Sequence, residues 1–440
     1  MQTRFTLAQL ADPDLRDAND ILRACVHCGF CLPACPTYTL LGDELDSPRG
    51  RIYQIKTMLE EEARPGPVLV RHLDRCLGCL SCMTACPSGV DYRHLSDIAR
   101  TRIWRDGARG RLDKGLRRLL AAVLSRPTAF RVLLAAAALV RPAAGILPAR
   151  LRRLIRMLPP SPPAPSALDR PALHRAAGAS RGRVLLPPGC AQRVLRPQIT
   201  ESAARLLNRA GWDAVIAPGG GCCGALHQHM GDAPAARTRA MANIRAWLAP
   251  GHDGTRADAI VSTASGCGAV IKDYGHMVGR AGNTENGAEA ENARQADLAA
   301  SLTTDITAFL KEKGLPPAVR ETGLRVAWHA PCSLRNAGDN GAAAQAGPAL
   351  LRQAGFQLVA VDSPPNCCGS AGTYNILQPE LADELQTRMA ASLTAGQPDV
   401  IASANIGCIT QIGAAAGIPV LHVAELLDYA TGGPKPEGLA

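Results

Sequence analysis

Two cysteine runs near the N-terminus share one spacing. The first reads Cys25-Val-His-Cys28-Gly-Phe-Cys31-Leu-Pro-Ala-Cys35-Pro36, and the second reads Cys76-Leu-Gly-Cys79-Leu-Ser-Cys82-Met-Thr-Ala-Cys86-Pro87. In each run, three thiols two residues apart can converge on one face of a tight loop. The fourth cannot join them, because after three more residues and a proline the chain turns away. It has to reach the site built by the other run. Whatever else this chain does, residues 25–35 and 76–86 must lie side by side.

The chemistry that uses this spacing is iron-sulfur binding: C-x2-C-x2-C-x3-C-P runs hold cubane clusters in two-cluster ferredoxins, the fourth cysteine ligating the other cluster. The spacing assigns Cys25, Cys28, Cys31 and Cys86 to one [4Fe-4S] cluster. Cys76, Cys79, Cys82 and Cys35 take the second. The crossover forces the two clusters together, as electron transfer requires. Structural zinc pairs C-x2-C knuckles across a long spacer, which leaves no use for a third cysteine and the x3-C-P ending. Sixteen cysteines in clustered spacings, with no signal-peptide pattern in the first thirty residues, predict a reduced protein on the cytoplasmic side rather than a disulfide framework.

At 440 residues the chain can build two or three domains. Its apolar content is 47% but its aromatic content only 3%, so the cores must be made of Ala, Leu and Val. The net charge of +10 is concentrated between Arg100 and Arg183. The longest apolar run there, Val132 to Val140, is half what a bilayer crossing needs. A basic amphipathic segment of this kind suits peripheral contact with an anionic membrane face or an acidic partner. With no groove-reading motif or aromatic stacking set beside the charge, nucleic acid is not expected as a partner.

Read in order, residues 1–105 form a two-[4Fe-4S] ferredoxin-type domain, with helices expected over 5–24, 52–62 and 92–104. Residues 71–75 simply return the chain to the second run. Residues 106–182 form a basic helical and Pro-rich linker. In it, helical periodicity over 116–124 and 130–139 is broken by Pro127 and Pro142, and Pro159-Pro160-Ser161-Pro162-Pro163-Ala164-Pro165 is stiff and extended. From residue 183 the chain repeats itself. Strands ending at Cys190 and Cys332 are each followed by a helix, then by a strand ending in a cysteine pair, Cys222-Cys223 or Cys367-Cys368. A longer passage leads to a third strand and a single cysteine, Cys267 or Cys408. The counterparts are offset by 141 to 145 residues. Two tandem α/β units, 183–320 and 321–440, are predicted, each gathering four cysteines at the carboxyl ends of its strands. The fold class is therefore mixed: an α-helical ferredoxin-like domain followed by tandem α/β cysteine-rich units.

The loop Gly219-Gly220-Gly221-Cys222-Cys223-Gly224 formally fits a dinucleotide fingerprint, but the second unit keeps the cysteine pair and loses the glycines, so no nucleotide site is read there. His27, His227, His229 and His329 stand near cysteines as candidate hydrogen-bond donors to a cluster. No catalytic constellation and no hydride-handling cofactor site is found on this chain.

The C-terminal units resemble the cysteine-rich CCG domains of heterodisulfide reductase and related subunits. Repeats of that family usually finish in a C-x2-C pair. Here Ala264 and Val270 flank Cys267, and Asn405 and Gln411 flank Cys408. The four cysteines left in each unit (Cys190, Cys222, Cys223, Cys267; Cys332, Cys367, Cys368, Cys408) are candidates for a further cluster, zinc or a redox disulfide. Over nearly its whole length the chain resembles the iron-sulfur subunit of bacterial glycolate oxidase. The resemblance is carried by Ile21-Leu-Arg-Ala-Cys25, Cys35-Pro-Thr-Tyr, Leu41-Gly-Asp-Glu-Leu-Asp, Pro48-Arg-Gly-Arg-Ile-Tyr, Cys86-Pro-Ser-Gly-Val, Ala264-Ser-Gly-Cys-Gly-Ala and Cys367-Cys-Gly-Ser-Ala-Gly-Thr-Tyr. It implies a membrane-associated complex on the inner face of the cell membrane. There, FAD-binding subunits would oxidise glycolate and this chain would carry electrons towards a respiratory acceptor such as quinone. Sibling subunits serving lactate or glycerol 3-phosphate, or a heterodisulfide-reductase-like subunit, share the cysteine pattern.

Overall fold

The computed structural model describes residues 1–106, 109–146, 155, 158–159, 161–251, 254–279, 287–336, 341–363 and 366–439. The N-terminal part is helical, and prolines set where its helices begin. Helix α1 (Pro13–Ala24) is capped by Asp12, whose side chain accepts from the Asp14 amide, and it buries Leu15, Ala18 and Leu22. The leucine periodicity from residue 5 overreached, because Pro13 is preorganised for a first helical turn and residues 5–8 stay outside any helix. Helices α2 (Pro36–Leu41) and α3 (Pro48–Glu60) also open on proline. Residues 71–75 are no bare return: most of them end α4 (Pro67–Asp74). A short α5 (Ser81–Thr84) lies inside the second cysteine run, and α6 (Tyr92–Arg105) closes the bundle over a core that includes Leu22, Ile55, Leu73, Leu95 and Ile98.

The basic region forms two helices, α7 (Arg111–Leu124) and α8 (Pro127–Val140). Pro127 opens the second helix rather than merely ending the first. Only Arg117 and Ala121 of α7, and Phe130 and Leu134 of α8, are buried. Leu112, Leu116, Leu119, Val132, Leu133 and Leu139 face solvent. Among the described residues no single helix is long and apolar enough to cross a membrane, and these two are bent by 107° to each other.

The C-terminal part holds two sheets of one topology. The first contains β1 (Ala172–His174), β2 (Arg183–Leu185), β3 (Asp213–Ile216), β4 (Ala259–Ser262) and β5 (Thr303–Asp305) in the order β1-β3-β2-β4-β5. The second contains β6 (Arg325–His329), β7 (Gln357–Leu358), β8 (Val400–Ser403) and β9 (Val420–His422) in the order β7-β6-β8-β9. Apart from β1 every pairing is parallel. Strand β1 comes from the region read as linker and adds an antiparallel edge to the first sheet. The two units share one apolar core: Val184, Leu206 and Phe309 of the first pack in the same cluster as Val326, Leu350 and Leu427 of the second. The cysteine pairs were expected at strand ends. They lie instead in loops, since β3 stops at Ile216 and β7 at Leu358, so each pair is free to curl over its sheet's carboxyl edge.

Candidate functional site

Both N-terminal cysteine loops take the same unusual backbone. In the first, His27 and Gly29 have φ of 58° and 84°; at the equivalent places in the second, Gly78 and Leu80 have φ of 61° and 59°. Left-handed residues in a tight loop help turn neighbouring N–H groups into a concavity that favours negative charge. His27 and Leu80 hold this conformation at a steric cost of about 1–2 kcal/mol.

The loops bring together the groups that the spacing assigned. Cys25, Cys28, Cys31 and Cys86 line one cavity, and Cys35, Cys76, Cys79 and Cys82 line another. Cys82 and Tyr92 border both, so the cavities are neighbours. Four converging thiols per cavity, amide-lined loops and buried cations nearby fit a [4Fe-4S] cluster in each. Arg51 is fully buried. Its Nε donates to the His72 carbonyl at 2.8 Å, its Nη2 to Thr37 Oγ1 at 3.0 Å and to Asp46 Oδ1 at 3.2 Å, and its Nη1 to Cys35 Sγ at 3.7 Å. Burial works against a Cys76 thiolate, yet Arg51 and Arg100 hold Cys76 below the usual thiol range. Burial pushes Cys31 up to about 11 and Cys79 up to about 12. Those two sites therefore favour neutral thiols until a metal supplies compensating charge.

Cysteine spacing alone does not reveal Arg51 and Asp46, although both lie in the Leu41–Asp46 and Pro48–Tyr53 segments that carried the family resemblance. Gly50 explains another letter of that motif: a Cβ there would stand 2.0 Å from the Glu44 carbonyl oxygen.

Each C-terminal unit gathers its four cysteines in a row. Cys190 touches Cys222, and Cys223 touches Cys267; in the second unit Cys332 touches Cys367 and Cys368 touches Cys408. Hydrogen bonds from Cys190 and Cys223 hold Cys222 well below the usual thiol value. In the second unit Cys332, Cys367 and Cys368 are all raised. The sets also differ in their surroundings. Asn405 Nδ2 donates to Cys408 Sγ at 3.3 Å, and a ring nitrogen of His329 lies within 4.8 Å of the sulfurs of Cys368 and Cys408. At the corresponding positions of the first unit stand Ala264 and Pro187. Of the four histidines singled out by sequence, His329 is thus placed among cysteines. His27 lines the first N-terminal cavity, His227 faces Asp232, and His229 lies at a crevice between the parts of the molecule.

The second unit sits on the second N-terminal site. Cys79 packs in one cluster with Cys332 and Cys367. Asn336 Nδ2 donates to the Cys79 carbonyl at 2.7 Å, and Asn366 Nδ2 to the Ala34 carbonyl at 3.0 Å. The two C-terminal units meet beside their cysteines, where Ser265 and Ser333 are hydrogen-bonded at 2.8 Å.

Comparison with known proteins agrees with this arrangement. Residues 21–90 match the 4Fe-4S dicluster domain family, and residues 184–272 and 326–413 each match the cysteine-rich domain family. The chain is 39% identical to the glycolate oxidase iron-sulfur subunit of Escherichia coli, over 98% of this chain and 99% of that one. It is 30% identical to the probable glycolate oxidase iron-sulfur subunit of Bacillus subtilis, over 94% and 95%. Lactate utilization protein A of Bacillus licheniformis is 24% identical over 54% of this chain and 96% of that one. Among solved structures, a hypothetical protein from Helicobacter pylori matches with a TM-score of 0.52 at 8% identity, over 97% of this chain and 74% of that one, a likeness of fold.

Proposed function

The chain belongs to the family of glycolate oxidase iron-sulfur subunits, and from that premise we propose that it is the electron relay of a glycolate-oxidising complex. An FAD-binding partner oxidises glycolate to glyoxylate in one two-electron step. This chain receives the electrons and passes them singly towards a respiratory acceptor of the quinone class. The observation that supports the relay most is contiguity: two four-cysteine cavities share a wall, and the second abuts the cysteines of a C-terminal unit.

Cys25, Cys28, Cys31 and Cys86 would hold one [4Fe-4S] cluster, and Cys35, Cys76, Cys79 and Cys82 the other. When bound, such a cluster supplies reversible one-electron chemistry. Arg51 and Arg100 offset the negative charge of the thiolate set, and Asn336 and Asn366 fix the distance to the next cysteines. The eight C-terminal cysteines are read as further redox or metal sites. The exposed leucines of α7 and α8, interleaved with arginines, suit peripheral docking on the inner face of the cell membrane.

The test is reduction by substrate. Glycolate added with the flavin partner should bleach the cluster absorbance of this chain, and glycerol 3-phosphate and lactate should not. Equal bleaching by all three removes the substrate assignment. A colourless zinc protein removes the relay itself.

A further inference from the structure

Where the helical part meets both C-terminal units, the described residues line a crevice open to solvent. It borders three of the four cysteine sites: Cys79 itself, Gly266 beside Cys267, and Ser333 beside Cys332. A molecule bound here lies at the junction of the wiring.

The lining says what kind of molecule fits. Arg93 and Arg100 are balanced in number by Asp97 and Asp273, so the site favours a ligand without net charge. Three of these four are committed. Arg100 Nη2 donates to the Cys76 carbonyl at 2.9 Å, Asp97 accepts from Gln228 Nε2 at 2.9 Å, and Asp273 bonds His94 Nε2 at 2.9 Å. Arg93 has its nearest carboxylate oxygen 3.8 Å away, and His229 hydrogen-bonds no described residue. Both remain as donors facing the space. His229 is exposed on the solvent side of the crevice. Leu80, Ala269, Val270 and Met277 supply apolar wall. Two donors, balanced charge and an apolar wall match a flat, neutral molecule with carbonyl oxygens.

A path for protons reaches the same place. Asp91 Oδ2 meets His94 Nδ1 at 2.5 Å, His94 Nε2 meets Asp273 Oδ1 at 2.9 Å, and Asp273 lines the crevice while the Asp91 side chain is 36% exposed.

We propose that this crevice is where a quinone is reduced, Arg93 and His229 donating hydrogen bonds to its carbonyl oxygens. The inference rests on the relay reading above. The quinone takes two electrons, delivered singly by the chain's iron-sulfur centres after the flavin partner has reduced them. It also takes two protons, which come from water by way of Asp91, His94 and Asp273. Both C=O groups become C–OH, and the quinol leaves.

The experiment uses the anaerobically purified, iron-loaded full chain and a short-tailed ubiquinone analogue, with binding measured by calorimetry. The wild type should bind one equivalent. Arg93→Gln should weaken binding at least tenfold, from loss of a charged hydrogen bond, and Met277→Trp, which fills the space, should abolish it. Both variants should keep full iron content and unchanged EPR signals. His94→Gln should bind normally while quinol formation slows at least tenfold; an unchanged rate removes the proton path. If glycolate fails to reduce the chain but the analogue binds with these sensitivities, the relay reading fails and the site stands. A wild type that does not bind, or variants that bind as tightly as wild type, overturns the site.

Discussion

Replacing Arg51 by Met should lower the reduction potential of one cluster by about 120 mV and leave the other nearly unmoved. Arg51 is fully buried, with its guanidinium 3.7 Å from Cys35 Sγ, so its charge would act on a cluster held by Cys35, Cys76, Cys79 and Cys82 from just outside the thiolates. At an effective dielectric of about 20, a unit charge at about 6 Å contributes about 2.8 kcal/mol to an added electron. That is about 120 mV for a one-electron couple. The substitution also strips Asp46 of one partner. Breaking a buried pair costs about 3–5 kcal/mol, and the loss should sit near the lower end because Arg75 still reaches the other carboxylate oxygen at 2.8 Å. Arg51→Lys keeps the charge without the fork of donors, so it should preserve most of the potential even where it weakens the fold. The assay is a potentiometric titration followed by EPR on iron-replete protein. A shift under about 20 mV in Arg51→Met, with iron content intact, would refute the placement of a cluster among those four cysteines.

Other predictions follow from single contacts. Cys86→Ser should cost the cluster of the first run and Cys35→Ser that of the second, read by iron content and by which EPR signal disappears; the reverse pattern would undo the crossover. Leu112→Glu with Leu119→Glu should cut sedimentation with anionic vesicles more than tenfold, since each buried leucine contributes roughly 1.5–3 kcal/mol, while neutral vesicles should bind weakly throughout. His94, half-buried but hydrogen-bonded to Asp273 and Asp91, is raised to about 9; it stacks on His276, and Arg93 approaches the same Asp273. Its folded value lies above its unfolded one, so its stabilisation is full below about pH 6.5 and is lost as pH rises towards 9. Thermal melts from pH 6 to 9.5 should fall across that window in wild type and flatten in His94→Gln.

The sequence carried the cysteine groupings and the duplicated sheet because both rest on local spacing and on a repeat that the chain states twice. It carried little of what surrounds them. Arg51 reaches Cys35 across 16 positions and Asn336 reaches Cys79 across 257; no periodicity encodes either contact. The merging of the two units into one core was hidden for the same reason. Each helix shows an apolar face, but not which sheet that face will meet. β1 escaped notice because three residues in an arginine- and proline-rich stretch become a strand only by pairing with β3, a tertiary effect that local propensity does not report. The early start read for α1 failed differently: leucine spacing outvoted a proline that fixes where the helix can begin.

The two C-terminal units share a topology but not an environment, and the difference bears on the direction of the proposed relay. In the second unit Asn405 donates to Cys408 and His329 stands beside Cys368 and Cys408; the first unit has Ala264 and Pro187 at those places. A donor to sulfur stabilises the more negative, reduced state, so Asn405 should raise the potential of a metal centre held by the second unit above its value without that donor. That unit is also the one that touches Cys79. In the proposed relay, electrons leaving the N-terminal part would meet the second unit at Cys332 and Cys367. Cys367→Ser with Cys368→Ser should stop transfer to the natural acceptor and leave both N-terminal clusters reducible. Cys222→Ser with Cys223→Ser should slow it less. Asn405→Ala, which empties one donor position without touching a cysteine, should lower the potential of the second unit alone. If the Cys222 and Cys223 pair proves the more damaging, or Asn405→Ala moves no signal, the units are equivalent stations and the asymmetry seen around their cysteines plays no part in directing electrons.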